Sequence, residues 1–455
     1  MKRFIWPTVC FLCIVVYYTV IVENSQNIPF ADDLAIMANL YDIHVATTPS
    51  DVVATLLSYH NEHRILLPRL VIMALAKLNG GIVDIQWWIW AGNSLLLLIG
   101  YVFYRVFANY QKPFIYFVPV VLLLFQPLAA ELTYWGMASL QNIGVLVLSA
   151  ITIYLISGDG SAAGLSFRGT RNLRRYLISG DGSSAGRLLV SFLLTGAAML
   201  TGANGILLLL PVALVLLVKR CYKQAVGWLV TGGFVVELYW TGFIPGVHSG
   251  SAAKTTPDVL DSGLSFLGMM GAFVESQRYD YVSVIVGVVF LILVALAVSP
   301  KIRALIQLPV ASVDRQTIFV LAFSSFILLT MAAIAVNRHL DAILHVSRYK
   351  IYPVLLLICL YLLCLDRFRW RVWSIRPVVL LCLIANGIAY KRYLPIIGVH
   401  QAYLTLQLNN WLLYRSVDAP TPFIRQYYEQ RWTNMYRLGL YKPPTRRYRL
   451  SNNRV

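Results

Sequence analysis

The segment FIWPTVCFLCIVVYYTVIV, residues 4–22, contains 19 residues, and none of them is charged. About 20 apolar residues in a helix cross the hydrocarbon core of a bilayer. The run is longer than the apolar part of a typical secretory signal, and VIVENSQ (20–26) lacks the small-x-small pattern of a cleavage site. We therefore predict that residues 4–22 form a retained membrane-spanning helix.

The composition of the whole chain agrees with a membrane protein. Of its 455 residues, 58% are hydrophobic and 13% are charged, and the mean hydropathy is +0.67. Soluble domains keep about a quarter of their residues charged, so the composition excludes that class. Further apolar runs of spanning length lie near residues 86–107, 114–130, 139–157, 226–244, 281–299, 318–336, 351–366 and 377–391.

Residues 187–218 form a longer apolar run that does not fit one span. The sequence TGANG (201–205) interrupts it, Arg187 precedes it, and Lys219 and Arg220 follow it. Basic residues favour the cytoplasmic side of a membrane, so both ends of the run are expected there and the run is predicted to be a tight helical hairpin. The sequence therefore predicts an all-α polytopic membrane protein with about eleven transmembrane helices.

Lysine and arginine are distributed unevenly between the loops. With the N-terminus inside, the cytoplasmic segments hold 19 of them, and the outer loops before the C-terminal tail hold 8. The positive-inside rule then predicts a multi-pass protein of the plasma (inner) membrane with a cytoplasmic N-terminus and an outer, periplasmic C-terminus. The net charge of +18 comes largely from these flanking residues, and it indicates membrane lipids as partners and no nucleic acid.

The predicted spans divide the chain into two parts. Residues 1–391 are predicted to form a multispan transmembrane domain, and residues 392–455 a tail on the outer face. The domain includes an outer loop, residues 23–83, and a cytoplasmic loop, residues 158–187, near whose two ends the sequence YLISGDG occurs. The glycine and serine residues around this repeat are typical of a flexible loop, and no GxxxxGKS or GxxxxGKT phosphate-binding motif follows it.

The outer loop 23–83 has the pattern of amphipathic surface helices. ADDLAIMANLY (31–41) places apolar residues at helical spacing. A second helix is predicted to begin at Thr48 and Pro49, which are favoured at a helix N-terminus. The stretch ILLPRLVIMALAKLNGG (65–81) contains charged residues that make it a poor span, and we predict a third helix that lies on the membrane.

Several short motifs together resemble the GT-C superfamily of membrane glycosyltransferases. They are the acid pair Asp32 and Asp33, the cluster HNEHR (60–64), and the segments TGANGILLLLPVALVLL (201–217) and SRYKIYPVLLL (347–357). The resemblance implies a GT-C-like fold and a bacterial-type enzyme that moves a sugar from a polyprenyl-phosphate-linked donor to a glycan, lipid or protein acceptor on the outer face. The family's spaced DxD is replaced here by an adjacent pair, which leaves a divalent metal, held by Asp32 and Asp33, open as a cofactor.

The acid pair itself has two interpretations. An acid in the first turn of a helix interacts favourably with the helix dipole, by about 0.3–1 kcal/mol. Because neighbouring helical residues point about 100° apart, one carboxylate can cap the helix while the other faces a cavity as a general base. The sequence does not rank them, and both Asp32 and Asp33 are taken, with Glu62, as candidate catalytic residues.

Candidates for substrate binding lie at the predicted outer ends of spans. The densest polar cluster contributes His60, His63 and Arg64, which suit either a donor phosphate or a wet turn at the headgroup level. Arg348 and Tyr349 precede an apolar span on the side that the positive-inside rule disfavours. Arginine binds phosphate through two parallel donors, although snorkelling to lipid headgroups also explains its position.

Two acids near outer span ends complete the predicted set. They are Glu131 and Glu237, and each is flanked by aromatic residues. The rings suit the aromatic belt of a membrane interface, whereas an ionisable group near a span end usually faces a cavity.

Two other functions fit the same topology. A transporter or flippase of lipid-linked glycans is expected to have charged residues in mid-span and paired half-repeats with broken helices, and the predicted spans carry almost no mid-span charge. A polymerase or ligase of such glycans also uses outer-loop arginine, but its large loop typically lies late in the chain. Here the acid-bearing loop is the first one.

Overall fold

A computed structural model of the chain describes residues 4–158, 184–244, 258–274, 280–307, 314–344, 346–367, 372–419 and 421–444. These residues are almost entirely helical, apart from short connections and one hairpin of two-residue strands. Most of the predicted cytoplasmic repeat loop, residues 158–187, lies outside the described residues.

Eight helices of the described part are long and apolar enough to cross a membrane. They are Ile5–Asn24, Ile85–Ala108, Phe114–Tyr134, Gly136–Ser157, Tyr281–Leu305, Arg315–Asn337, Ser347–Leu365 and Ser374–Tyr414. The other α-helices are Asp33–Val45, Pro49–Leu57, Leu66–Leu78, Ser184–Met199, Leu209–Val218, Tyr222–Trp240, Val259–Met270, Leu340–Leu344 and Pro422–Arg437. The protein is an all-α, multi-pass membrane protein, which confirms the predicted class.

The other three of the eleven predicted spans form helices that are too short, or too polar, to cross a membrane by length and composition. The arms of the predicted hairpin are Ser184–Met199 and Leu209–Val218, the second preceded by a 3-10 segment, Ala203–Leu208. The third, Tyr222–Trp240, has 19 residues, but it carries Lys223 and Glu237. Eight of the eleven predicted spans are therefore confirmed as helices of spanning length and composition among the described residues, and the full count stays a prediction.

The ends of the hairpin meet at the last turn of the helix Gly136–Ser157. Lys219 donates a hydrogen bond to the carbonyl oxygen of Gly158, and Arg315 donates to a carbonyl of the last turn at 3.0 Å. A Cβ added to Gly158 would lie 3.0 Å from a guanidinium nitrogen of Arg187. The carbonyl groups at a helix C-terminus attract cations, so these basic residues lie together at one end of the helix bundle.

The longest helix, Val372–Tyr414, runs through the predicted boundary between residues 391 and 392. It has 43 residues and contains Pro377 and Pro395. At 1.5 Å per residue it is about 65 Å long, roughly twice the thickness of a hydrocarbon core. Lys391 and Arg392 end the apolar pattern, but both are good helix formers, so the helix continues where the apolar run stops.

The loop 23–83 folds as predicted into three helices, Asp33–Val45, Pro49–Leu57 and Leu66–Leu78. Thr48 caps the second by accepting the backbone N–H of Asp51 at 3.2 Å. Between the second and third helices, Tyr59–His60 pairs with His63–Arg64 as an antiparallel hairpin. Asn61 has a φ of 50° in its turn, a left-handed conformation that asparagine tolerates better than most residues. The hairpin brings the HNEHR cluster to one point of the surface.

The C-terminal helix Pro422–Arg437 packs on the first helix of that loop. The Arg431 side chain donates to Asp42 at 3.0 Å, and the Tyr41 hydroxyl accepts from Asn434 at 3.1 Å. Farther on, the N–H of Val83 donates to the carbonyl of Leu440 at 2.7 Å. The two ends of the chain therefore build one side of the molecule together.

Candidate functional site

A cavity of about 560 Å³ lies between the loop 23–83 and the ends of several spanning helices. Its charged and imidazole side chains are Asp32, His60, Glu62, His63, Arg338 and Arg348. The rest of its wall includes Tyr349, Tyr352, Asn142 and the apolar residues Ile206, Leu207, Trp240, Phe243 and Ile334. The cavity joins four predicted site residues from the loop, Asp32, His60, Glu62 and His63, to two from the start of the span Ser347–Leu365, Arg348 and Tyr349. It thus combines a charged side with an apolar side.

Asp32 faces this cavity, and 34% of its side-chain surface is accessible. Its Oδ2 lies 3.4 Å from Nε2 of His60. Burial raises the pKa of the Asp32 carboxyl, but the neighbouring His60, Arg348 and His63 outweigh that effect and hold the pKa below its ordinary value. Asp32 is therefore an ionised acceptor at neutral pH.

Asp33 lies outside the cavity and is completely buried. Its Oδ2 accepts the backbone N–H of Phe30 at 3.1 Å, and its Oδ1 accepts that of Met137 at 2.8 Å. Burial raises the pKa of the carboxyl to about 7 against the opposing effect of these N–H groups. Both oxygens are thus occupied in joining the loop to the first turn of Gly136–Ser157.

The two carboxylates do not converge on one point, which removes the geometric basis of a metal held by Asp32 and Asp33 together. Among the described residues, no group of three or more His, Cys, Asp and Glu side chains is placed to hold a metal ion. The acid pair divides between a cavity-facing residue and a structural one, and we drop Asp33 from the candidate catalytic residues.

Glu62 stands between a histidine and an arginine on the cavity wall. Its Oε1 lies 3.7 Å from Nε2 of His63 and 3.5 Å from Nη2 of Arg338. Burial lowers the pKa of His63, against the effect of Glu62, so the ring is neutral at pH 7. Because Nδ1 of His63 accepts the N–H of Ala203 at 3.2 Å, the ring proton is on Nε2 and faces Glu62.

The two arginines of the cavity differ in their contacts. Nη1 of Arg348 donates to Oε1 of Glu131 at 2.6 Å, and its guanidinium lies 5.1 Å from the ring centre of Trp135. Nη1 of Arg338 is buried and makes no hydrogen bond to any residue that the structure describes. Glu131 therefore orients Arg348 from behind, whereas Arg338 retains a donor that a ligand can use.

Arg64 and Glu237, both predicted to bind substrate, do not line the cavity. The Arg64 side chain donates to the carbonyl oxygens of Tyr239 (2.8 Å), Leu57 (2.6 Å) and Thr241 (2.5 Å). It thus fixes the loop hairpin to the end of a helix. Glu237 is exposed on that same helix.

Arg338 was not among the residues selected from the sequence. Its position directly after an apolar span was visible, but Arg348, which directly precedes one, was preferred. What distinguishes Arg338 is its Nη1, which is buried and makes no hydrogen bond to the residues that the structure describes. That environment depends on the packing around the side chain and has no signal in the sequence.

The chain was also compared with known proteins. No family model matches it, and no curated protein or solved structure matches it significantly.

Proposed function

We propose that the protein is a membrane glycosyltransferase that moves a sugar from a polyprenyl-phosphate-linked donor to a glycan, lipid or protein acceptor. One observation carries the proposal: the ionised Asp32, Arg338 and Arg348 line a single cavity together with apolar residues. A carboxylate suits the removal of a proton, and two guanidinium groups suit a departing phosphate.

The reaction assigns a role to each of these side chains. The hydroxyl oxygen of the acceptor attacks the anomeric carbon of the donor, and Asp32 takes the hydroxyl proton. The bond between the anomeric carbon and the phosphate oxygen breaks, and the lipid phosphate leaves with that electron pair. A glycosidase also needs an acid to protonate its leaving group. A phosphate leaves as an anion instead, so cations serve in place of the acid.

Arg338 and Arg348 stabilise the charge that develops on the leaving phosphate. A charge-assisted hydrogen bond from arginine is roughly twice as strong as a neutral one. Nη1 of Arg338, which makes no hydrogen bond within the described part of the chain, supports direct contact, and Arg348 is held in place by Glu131. The apolar residues Trp240, Phe243 and Ile334 line the same cavity and suit the first isoprene units of the lipid.

The proposed orientation places the cavity outside and the N-terminus in the cytoplasm, with the hairpin arms and Tyr222–Trp240 also embedded in the membrane, as in a GT-C-like arrangement. It is supported by the basic residues that gather around Gly158 at one end of the bundle. Ser50→Cys should react with an impermeant thiol reagent applied outside, and Ala304→Cys should not. The reverse labelling would overturn the orientation.

The experiment that tests the activity uses the full chain in lipid vesicles with a panel of polyprenyl-phosphate sugars. We expect the protein to release free polyprenyl phosphate from at least one donor and to require Asp32 for this release. Movement of the intact donor across the membrane, unchanged in Asp32→Asn, would replace the proposal with a flippase.

A further inference from the structure

A second cavity, of about 250 Å³, shares His60 with the first. The loop contributes Tyr59, His60 and Arg69 to its wall, and the C-terminal helix Pro422–Arg437 contributes Phe423, Tyr427 and Tyr428. Drug-sized ligands occupy pockets of roughly 300–1,000 Å³, so this cavity suits a ligand of about one ring.

The lining of the second cavity has the chemistry of a sugar site. The face of an aromatic ring is electron-rich and attracts weakly positive hydrogen atoms, and the C–H bonds of a sugar ring present such hydrogens. Phe423 is 79% exposed, although it belongs to a helix that is polar on average. Its ring is therefore not needed for the core and is available at the rim of the cavity.

Arg69 supplies a fixed polar group at the same place. It is 2% exposed, its Nε donates to Asn39 Oδ1 at 3.1 Å, and its Nη1 donates to the carbonyls of Leu56 (2.9 Å) and Ser58 (2.7 Å). These bonds hold the guanidinium in one orientation. A donor group that is fixed in advance loses little entropy when it binds a hydroxyl.

The second cavity lies next to Asp32. His60 lines both cavities and is 9% exposed, and its Nε2 lies 3.4 Å from Oδ2 of Asp32. Burial and the charge of Asp32 raise the pKa of Tyr428 to about 12, which places that phenol within the field of the carboxylate. A ligand in the second cavity would therefore lie beside the proposed base.

We propose that the second cavity binds one sugar ring of the acceptor, so that the acceptor is a glycan or a glycosylated lipid or protein. The role of the bound sugar as an acceptor rests on the proposed function, whereas the binding of a sugar in this cavity does not. The ring packs against Phe423 and Tyr428, Arg69 donates to its hydroxyl groups, and the reacting hydroxyl passes His60 towards Asp32.

The binding experiment uses the full chain in lipid nanodiscs and saturation-transfer NMR with the methyl glycosides of glucose, galactose, mannose and arabinose. We expect at least one glycoside to bind, and Phe423→Ala to bind it about fivefold to tenfold more weakly. Tyr414→Ala is the matched control, because Tyr414 is 74% exposed and does not line the cavity. Absence of binding in the wild type, or equal binding in both variants, overturns the inference.

The transfer reaction separates this inference from the proposed function. Donor hydrolysis by water needs no acceptor, whereas transfer to a glycoside does. We expect Phe423→Ala to raise the KM for the glycoside and to lower hydrolysis less than transfer. An unchanged KM with normal transfer in Phe423→Ala overturns the assignment of the second cavity to the acceptor and leaves the proposed function standing. If the wild type cleaves none of the donors, the proposed function is overturned. The binding experiment then still decides whether the second cavity binds a sugar.

Discussion

The loop 23–83 contains two sets of charged residues that are similar in type and differ in what they do. Asp32 and Glu62 face the main cavity. Asp33 and Arg64 are instead bound to backbone groups of the loop and its neighbours. The first set retains accessible oxygen atoms, and the second set uses its hydrogen-bonding capacity to hold the loop in shape.

The difference teaches that a perturbed pKa does not by itself mark a catalytic residue. The pKa of Asp33 is raised to about 7, the kind of shift that active sites often show. Asp33 is nevertheless completely buried against the backbone. The pKa of the cavity-facing Asp32 is lowered. Accessibility and the identity of the partners decide between the two residues.

The largest expected effect separates the two aspartates by activity. Asp32→Asn should lower transfer about 10²–10⁴-fold, because a lost general base has an effect of that size, and it should leave folding intact. The measurement is the initial rate in vesicles, normalised to folded protein. Asp51→Asn is a suitable control, since Asp51 is exposed at the start of another loop helix. Normal activity of Asp32→Asn would remove Asp32 from the mechanism.

The next effect concerns stability. In Asp33→Asn, one side-chain oxygen still accepts a backbone N–H, but the other oxygen is replaced by an NH2 group that faces the second N–H. Two donors then meet, and an unsatisfied buried donor costs about 1–3 kcal/mol. We expect a lower thermal midpoint than in Asp32→Asn, measured in detergent by the same optical signal. If the two variants melt at equal temperatures, the division of the pair is refuted.

The pH dependence of stability sharpens the same comparison. The pKa of Asp33 is raised from 3.8 to about 7 in the folded protein, so the folded state holds this proton more tightly than the unfolded state. Its contribution to stability is present below pH 3.8 and is lost as the pH rises through about 7. The gap in melting temperature between the wild type and Asp33→Asn should therefore be larger near about pH 5 than near about pH 8. A constant gap would contradict this expectation.

A smaller effect concerns the arginines of the cavity. Arg338→Ala should raise the donor KM at least as much as Arg348→Ala, because Nη1 of Arg338 makes no hydrogen bond to the described residues and can donate to the phosphate. Arg348→Lys should also weaken donor use, since lysine keeps the charge and loses the fork that joins Glu131 to the cavity. Donor titrations at fixed acceptor measure this ranking, with the exposed Arg437→Ala as the control. An unchanged donor KM in Arg338→Ala would leave Arg348 as the only arginine of the cavity assigned to the phosphate.

The smallest effect on catalysis is expected at Arg64, which belongs to the set that holds the loop in shape. Arg64→Lys loses most of the bonds to Leu57, Tyr239 and Thr241, so the melting temperature should fall while the donor KM changes little. Loss of donor binding without loss of stability would place Arg64 in the phosphate site.

Much of the local structure follows from the sequence. Long runs of uncharged residues specify helices in a membrane, because an unpaired backbone group in lipid is costly. Thr48 and Pro49 set the start of a loop helix, and it forms there. The boundary at residue 391 was placed by apolar pattern alone. It fell inside a helix because hydropathy reports the membrane edge and does not report the end of a helix.

The sequence by itself determined the membrane class, the loop helices and the set of polar residues from which a site could be built. Which member of that set faces a cavity was decided by the tertiary structure. Asp32 and Asp33 differ by one step along the chain, and their surroundings come from segments about a hundred or more residues away: Met137 for one, Arg338 and Arg348 for the other. The second cavity needs residues 35–69 and 423–428 together. Sequence patterns report neighbours within a few residues, and such long-range contacts exist only once the helices have packed.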